Sequence, residues 1–132
     1  MSRVQLALRV GDLSGAVDFY RELLGCEPAK QRPGYANFVV AEPPLKLVLL
    51  EGEPGQATAL DHLGIEVGAP AEVAEAAGRL AARGLPTTVE EGTTCCYARQ
   101  DKVWAHAPGG EPWEVYAVLA DADEFGATPC CA

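Results

Sequence analysis

His62 and Glu114 are the two residues whose types and positions best suit metal binding. His62 starts the polar face of a strand with alternating side chains, and Glu114 lies on the polar face of the closing strand, residues 113–119. Burying a carboxylate in a sheet is costly unless it is paired with a cation or bound to a metal. Glu114 therefore predicts a metal site or a salt bridge. For His62 the alternative is a hydrogen-bonded structural histidine.

An internal repeat adds Gln5 to this pair. When the chain is displaced by 57 residues, residues 5–11 lie over residues 62–68, and both segments alternate with a period of two. Gln5 then takes the place of His62, and both side chains are expected to point into a shared concavity. Imidazole, carboxylate and amide oxygen form a mixed set that suits a borderline divalent ion, with Fe(II) the natural candidate.

His106 is a rival ligand, and Lys102 is a second charged candidate. His106 precedes the turn at residues 108–110, where an exposed or turn-capping histidine is the alternative. Lys102 ends the charged run of residues 99–102, which predicts a solvated turn with Lys102 at the surface. If Lys102 turned inward instead, it could stabilise negative charge that develops within the site.

Four of the five cysteines form adjacent pairs, Cys95 with Cys96 and Cys130 with Cys131, while Cys26 stands alone. Adjacent cysteines do not form a relaxed disulfide, so the pairs predict reduced thiols and a soft metal or metalloid site. Packing of small buried side chains is the alternative. Adjacent strand residues point to opposite faces, so both thiols can meet one ligand only in a loop-like conformation. The sequence leaves the role of the second pair open.

The segment that leads to the first cysteine pair is predicted to be a loop. Residues 91–96 contain a glycine and lack apolar periodicity. We expect this segment to close over the metal when the thiols bind their soft ligand, with Gly92 as the hinge.

The elements that must position these residues come in two similar sets. Asp12 is expected to cap a helix that ends at Gly25, and Pro70 to begin a second helix that ends at Gly84. β-like segments follow each helix. These segments are residues 35–40 and 46–50 in the first half and residues 93–98, 102–106 and 113–119 in the second. The pattern predicts an α+β fold of two tandem βαβββ modules that form a concave mixed sheet.

The two modules are expected to make one domain over residues 1–120, divided at about 3–57 and 58–120. Residues 121–132 are predicted to be a flexible tail that contains cysteines. We also expect a cytoplasmic protein, since the first residues lack the apolar region of a signal peptide.

Composition narrows the possible partners of this chain. Of its 132 residues, 48% are hydrophobic and 22% charged, and the formal net charge is −9. A surface with this much negative charge repels phosphate backbones and anionic lipids. Nucleic acid and membrane partners are therefore not expected. A small-molecule ligand remains.

These features together resemble the vicinal oxygen chelate superfamily of glyoxalases, extradiol dioxygenases and bleomycin-resistance proteins. The resemblance covers residues 3–120 and includes the duplicated module, the helix segment of residues 16–25 and the late carboxylate in residues 112–116. Within it, residues 94–98, 100–104 and 112–116 are similar to the arsenic- and cadmium-inducible branch. That branch cleaves carbon–arsenic bonds.

The resemblance implies a non-haem Fe(II) dioxygenase that uses dioxygen to convert trivalent methylarsenite and aromatic arsenicals to arsenite. Cys95 and Cys96 would hold the arsenic, and His62 and Glu114 would bind iron. The first-strand ligand falls on Gln5, where the family pattern has histidine. Domain-paired dimers are common in the superfamily, so a monomer or homodimer is expected.

Two other functions remain open at this point. The cysteines and cavity could sequester cadmium or arsenite without chemistry. The same fold could instead act on carbon substrates, which would leave Cys95 and Cys96 unexplained.

Overall fold

The computed structural model describes residues 2–123 and 125–126. The chain divides into two compact units, an N-terminal unit of Val4–Asp61 and a C-terminal unit of Met1–Arg3 with His62–Ala132. The elements in chain order are β1 (Arg3–Val10), α1 (Leu13–Leu24), β2 (Lys30–Arg32), β3 (Tyr35–Val40), β4 (Leu45–Glu51), β5 (Ala59–Glu66), α2 (Pro70–Ala82), β6 (Thr88–Cys95), β7 (Ala98–His106) and β8 (Pro112–Asp121).

The N-terminal unit is one βαβββ module. Strand β4 pairs in parallel with β1 and antiparallel with β3, which in turn pairs antiparallel with β2. Helix α1 forms where predicted: the Asp12 carboxylate accepts a hydrogen bond from the Gly15 N–H at 2.9 Å, and Gly25 ends the helix at a φ of 68°. The buried apolar core consists of Val10, Val17, Ala36, Phe38, Leu47 and Leu49.

The C-terminal unit repeats this arrangement. Strand β8 pairs in parallel with β5 and antiparallel with β7, and β7 pairs antiparallel with β6. Helix α2 begins with Pro70, whose missing N–H costs nothing in the first helical turn. The apolar core consists of Val73, Ala76, Val103 and Ala117.

The α+β class and the two βαβββ modules are therefore confirmed, whereas some strand boundaries were wrong. Strand β2 was not predicted, and β6 runs over Thr88–Cys95 instead of 93–98. Strand β7 begins at Ala98, so the charged run of residues 99–102 lies within a strand and is not a turn. The cause is alternation: Ala98, Gln100 and Lys102 are buried, whereas Arg99 is exposed and Asp101 is partly exposed.

Two further points concern the ends of the expected architecture. Most of the predicted tail, including Cys130 and Cys131, lies outside the described residues. Among the residues that are described, no helix is long and apolar enough to cross a membrane.

Candidate active site

His62 and Glu114 meet inside the C-terminal unit. His62 lies on β5 and Glu114 on the neighbouring β8, and their side chains are 1% and 4% exposed. The residue directly opposite Glu114 is Gly64, which has no side chain, so His62 reaches the carboxylate diagonally across the strand pair. The imidazole Nε2 donates to Oε2 of Glu114 at 2.8 Å. The structure thus brings together two of the three predicted metal ligands.

The second oxygen of Glu114 is held by Lys102. The ammonium of Lys102 donates to Oε1 at 2.8 Å, and the lysine side chain is fully buried. Its Nζ also lies 5.3 Å from the ring centre of Trp104 and 5.8 Å from that of Tyr116, within the range of cation–π attraction. The prediction of a solvated Lys102 was therefore wrong, because β7 directs this residue to the same face as Glu114.

The electrostatics of the cluster favour an ionised carboxylate. Burial by itself raises the pKa of Glu114, but the hydrogen bond from His62 and the charge of Lys102 outweigh burial and hold the pKa below its ordinary value. Glu114 is therefore a buried anion with both oxygens engaged. Of the two alternatives given for this buried carboxylate, the structure shows the salt bridge, and the metal site stays a prediction.

Aromatic side chains fix the surroundings of this cluster. The rings of Trp104 and His62 meet edge to face with centres 5.5 Å apart, and the Trp104 indole N–H donates to Glu90 at 3.0 Å. The Tyr116 hydroxyl donates to Glu66 at 3.1 Å, and Glu66 forms a salt bridge with Arg3. Because each ring has a hydrogen-bond partner, the rings beside His62 and Lys102 hold defined orientations.

The sulfur atoms of Cys95 and Cys96 lie 3.4 Å apart. Cys95 ends β6 and is buried, and the chain then turns through positive φ angles at Cys96 (51°) and Tyr97 (63°). Residues other than glycine rarely adopt this conformation. The turn brings two adjacent side chains to one side, as a shared ligand requires.

The oxidation state of this pair differs from the expectation of reduced thiols. Cys95 and Cys96 are both disulfide-bonded, whereas Cys26 is a free cysteine. The contact between Cys95 and Cys96 is not itself a disulfide, because 3.4 Å is far beyond the bond length of about 2.05 Å. Ligand binding by these sulfurs therefore requires their reduction.

Neighbouring segments hold the cysteine turn in place. The Gln100 side chain donates to the backbone carbonyl of Cys95 at 3.0 Å, and the Ala122 N–H donates to the carbonyl of Tyr97 at 2.9 Å. Gly126 packs against this turn so closely that a Cβ on it would lie 2.1 Å from the carbonyl oxygen of Thr94. Chain beyond β8 therefore contributes to the shape of the turn.

The segment before the cysteines is not the predicted loop. Residues 91–95 belong to β6, which pairs with β7 and has an irregularity between Glu90 and Thr93. Gly92 lies at this irregularity with a φ of 60°, and its N–H donates to Asp101 at 2.8 Å. The loop prediction was wrong because cross-strand pairing does not require apolar periodicity. The proposed closing motion stays a prediction.

The remaining candidates lie elsewhere. Gln5 belongs to the N-terminal unit, where it is buried on β1 opposite Lys46 of β4. His106 is exposed at the end of β7. Within residues 2–123 and 125–126, no three side chains of His, Cys, Asp or Glu cluster as a metal site. Two residues of the predicted set, His62 and Glu114, are of those types, and the role of Gln5 as a ligand stays a prediction.

His62 and Glu114 fit a divalent metal ion. Imidazole nitrogen and carboxylate oxygen are ligands for ions such as Fe(II), and their 2.8 Å contact shows that both atoms reach the same point. Sequence reasoning named Lys102 as a candidate but favoured a surface position for it, whereas its ammonium contacts Glu114. Lys102 shares the buried face of β7 with residues 98 and 100, and the structure, not the sequence, establishes that this face is buried.

This architecture is that of a known family. The Glyoxalase/Bleomycin resistance protein/Dioxygenase superfamily matches residues 3–115, and the chain belongs to it. Among solved structures, the 2,3-dioxygenase LapB from Pseudomonas sp. KL28 is similar with a TM-score of 0.69 and 21% identity, over 96% of this chain and 44% of that one. The Mn(II)-bound glyoxalase from Novosphingobium aromaticivorans is similar with a TM-score of 0.65 and 18% identity, over 98% of this chain and 44% of its own. At these identities the likeness shows the fold.

Relatives of higher identity define the branch. The trivalent organoarsenical cleaving enzyme of Thermomonospora curvata is 60% identical over 99% of this chain and 89% of its own length. Cadmium-induced protein CadI of Mycobacterium tuberculosis is 60% identical over 98% of this chain and 84% of its own length. The resemblance to the arsenic- and cadmium-inducible branch is therefore confirmed.

Proposed function

We propose that this protein is an Fe(II)-dependent dioxygenase that cleaves the carbon–arsenic bond of trivalent organoarsenicals and releases arsenite. The observation that carries the proposal is the convergence of the Cys95 and Cys96 sulfurs in the same unit as the His62–Glu114 pair. The 60% identity to an enzyme named for organoarsenical cleavage supports the same chemistry.

The cysteine pair is suited to holding the substrate. Trivalent arsenic is a soft centre, and thiolates are the soft ligands of proteins. Two sulfurs 3.4 Å apart can bind one atom at about the 2.3 Å length typical of a metal–thiolate bond. After reduction, Cys95 and Cys96 would fix the arsenic at two points and leave its carbon substituent free to face the rest of the site.

The metal would be held by His62 and Glu114, whose Nε2 and Oε2 atoms already meet. Bound iron supplies the activation of dioxygen, which protein side chains do not provide. The surrounding residues orient its ligands: Lys102 engages the other oxygen of Glu114, and Trp104 packs against the imidazole. The repeat alone supports Gln5 as a further ligand, and that assignment stays a prediction.

The proposed reaction balances without a further reductant. Methylarsenite, CH3As(OH)2, and one O2 contain the atoms of arsenous acid, As(OH)3, and formaldehyde, CH2O. The carbon–arsenic bond breaks, the carbon is oxidised and dioxygen is reduced. Release of formaldehyde together with arsenite is therefore the expected signature of a methylated substrate.

Turnover under controlled oxygen tests this proposal. Reduced protein loaded with Fe(II) is mixed with methylarsenite in air and, in parallel, under argon, and arsenite and formaldehyde are measured. We expect both products in equal amounts in air and neither under argon. Stoichiometric capture of methylarsenite without arsenite release in air would contradict the enzyme.

A second candidate function is sequestration of cadmium or arsenite, which the 60% identity to a cadmium-induced protein favours. Sequestration needs Cys95 and Cys96 but has no need of His62 or Glu114. Cadmium binding is therefore measured in wild type and in His62→Ala. Tight cadmium binding by both, together with the absence of turnover, would favour sequestration over cleavage.

A further inference from the structure

Lys102 is a fully buried charged group beside Glu114, a proposed metal ligand. Its side chain is 0% exposed, and its ammonium forms an ion pair with Oε1 of Glu114 at 2.8 Å. The rings of Trp104 and Tyr116 also lie near this ammonium. A fully buried lysine is rare unless it is paired, so its placement beside a metal ligand demands an explanation.

We propose that Lys102 is a positioning residue that keeps the metal site formed when no metal is bound and that weakens the binding of divalent ions. This inference rests on the metal site of the proposed function. It concerns the affinity and the ligand arrangement of that site, which the proposed reaction leaves unspecified.

The contacts of Glu114 in the absence of metal explain how Lys102 would keep the site formed. Glu114 is a buried anion, and a buried carboxylate that loses its cationic partner is strongly destabilising. Lys102 supplies a full positive charge to Oε1 of this carboxylate, beside the contact of His62 with Oε2. Lys102 therefore takes the place of the metal's charge in the empty site.

The charge and position of Lys102 explain why it would weaken the binding of a divalent ion. A divalent ion held by His62 and Glu114 would be repelled by the buried ammonium of Lys102, because repulsion between like charges is weakly screened in the interior. Lys102 also occupies Oε1, which leaves Oε2, the oxygen that faces His62, as the available donor. Both effects lower metal affinity, and the second restricts Glu114 to one donor atom and so favours open positions on the metal.

Removal of the lysine charge tests the proposal. Lys102→Met keeps an unbranched side chain of similar length and removes the ammonium. We expect its metal-free form to unfold at a lower temperature than wild type and its Mn²⁺ affinity, measured by titration calorimetry under argon, to rise by roughly tenfold or more. The absorption spectrum of the Co²⁺ form should change as well, because both oxygens of Glu114 become available.

Arg3→Met is the matched control, since it also removes one positive charge from the C-terminal unit. Arg3 pairs with Glu66, which is not a proposed ligand. Its replacement should leave Mn²⁺ affinity near that of wild type. Equal tightening in both variants would overturn the proposal, because it would show an effect of net charge alone.

Lys102→Gln removes the positive charge but keeps a hydrogen-bond donor, so it distinguishes the effect of the charge from that of the hydrogen bond. It also replaces Lys102→Met as the test variant if Lys102→Met does not fold without metal. Glutamine can still donate to Oε1, so this variant should be more stable than Lys102→Met and should also bind Mn²⁺ more tightly than wild type. Unchanged or weaker Mn²⁺ binding would overturn the role of Lys102 while leaving the metal site intact. If wild type itself binds no Mn²⁺, Co²⁺ or Fe²⁺, the metal site and this inference both fail.

Discussion

The two units have the same strand pairing, yet their equivalent positions differ in chemistry. Register places Ala7 opposite Val48 in the N-terminal unit and Gly64 opposite Glu114 in the C-terminal unit, so Val48 is the counterpart of Glu114. By the same pairing Tyr35 is the counterpart of Lys102. The unit without the carboxylate also lacks the lysine. This difference indicates that Lys102 and Glu114 function together as one ion pair.

A second difference lies at the outer strands. Strand β2 has three residues, whereas its counterpart β6 has eight and ends in the turn of Cys95 and Cys96. The N-terminal unit has no comparable pair, since its one cysteine, Cys26, packs beside the apolar core. Duplication thus supplied the framework twice, and the residues suited to chemistry accumulated in one copy.

The largest expected effect comes from replacing the carboxylate of Glu114 with the uncharged side chain found at the equivalent position of the N-terminal unit. Glu114→Val places the residue type of Val48 at the proposed ligand position and leaves Lys102 without its carboxylate partner. We expect loss of metal binding and of arsenite release, and a marked loss of stability, because an unpaired buried lysine remains. Metal content after reconstitution and urea unfolding measure the two effects.

The double variant Glu114→Val, Lys102→Tyr sharpens this test. Because both charges are removed together, most of the lost stability should return while metal binding stays absent. Stability no better than that of the single variant would argue against the pairing.

Gln5→His tests the position that the repeat aligns with His62. Imidazole is a stronger donor than an amide, so this variant should keep or tighten metal binding. Loss of binding would contradict Gln5 as a ligand.

Almost as large an effect is expected at the cysteine turn. Cys95→Ser and Cys96→Ser should each abolish arsenite release from methylarsenite, because a hydroxyl does not replace a thiolate toward a soft centre. Metal binding should persist in both variants. Cys26→Ser is the matched control and should retain activity. Full activity of the Cys95→Ser, Cys96→Ser double variant would refute the substrate site.

The difference between the units also shows what the sequence could reveal. The repeat predicted both modules, and the caps at Asp12 and Gly25 predicted α1, since these signals are local. Alternation placed Glu114 on the buried face of its strand. The burial of Lys102 was missed because its ion pair depends on β7 lying beside β8, which only the fold establishes. The turn at Cys96 was required by the adjacency of the thiols, but its contacts with Gly126 came from a distant segment.

A smaller effect is expected at Gly126, which has a φ of 118°. Gly126→Ala would force its Cβ against the Thr94 carbonyl oxygen, and alanine rarely adopts this φ. The cysteine turn must then shift. We expect weaker binding of phenylarsine oxide to the reduced protein, with unchanged metal affinity. Gly110→Ala, which is strained in φ but has open space for a Cβ, is the control. Equal arsenical affinity in both variants would show that the chain beyond β8 does not shape the turn.

The smallest expected effect concerns the two helices, which begin differently in the two units. Asp12 caps α1 through the Gly15 N–H, whereas α2 begins at Ala69, whose side chain has no acceptor. Asp12→Ala should lower the free energy of unfolding by about 1 kcal/mol. In α2 the Glu72 carboxylate already accepts from the Ala69 N–H at 3.0 Å, so Ala69→Ser should complete a reciprocal capping pair and raise it by about 0.5–1 kcal/mol.

Urea unfolding midpoints at a constant slope measure both changes, and arsenite release should stay at the wild-type rate because neither cap touches the proposed site. A destabilising Ala69→Ser would contradict the cap argument for α2. Equal and opposite shifts would show that α2 lacks the side-chain cap that Asp12 provides for α1. They would also show that the helix caps change stability without changing the chemistry of the strands.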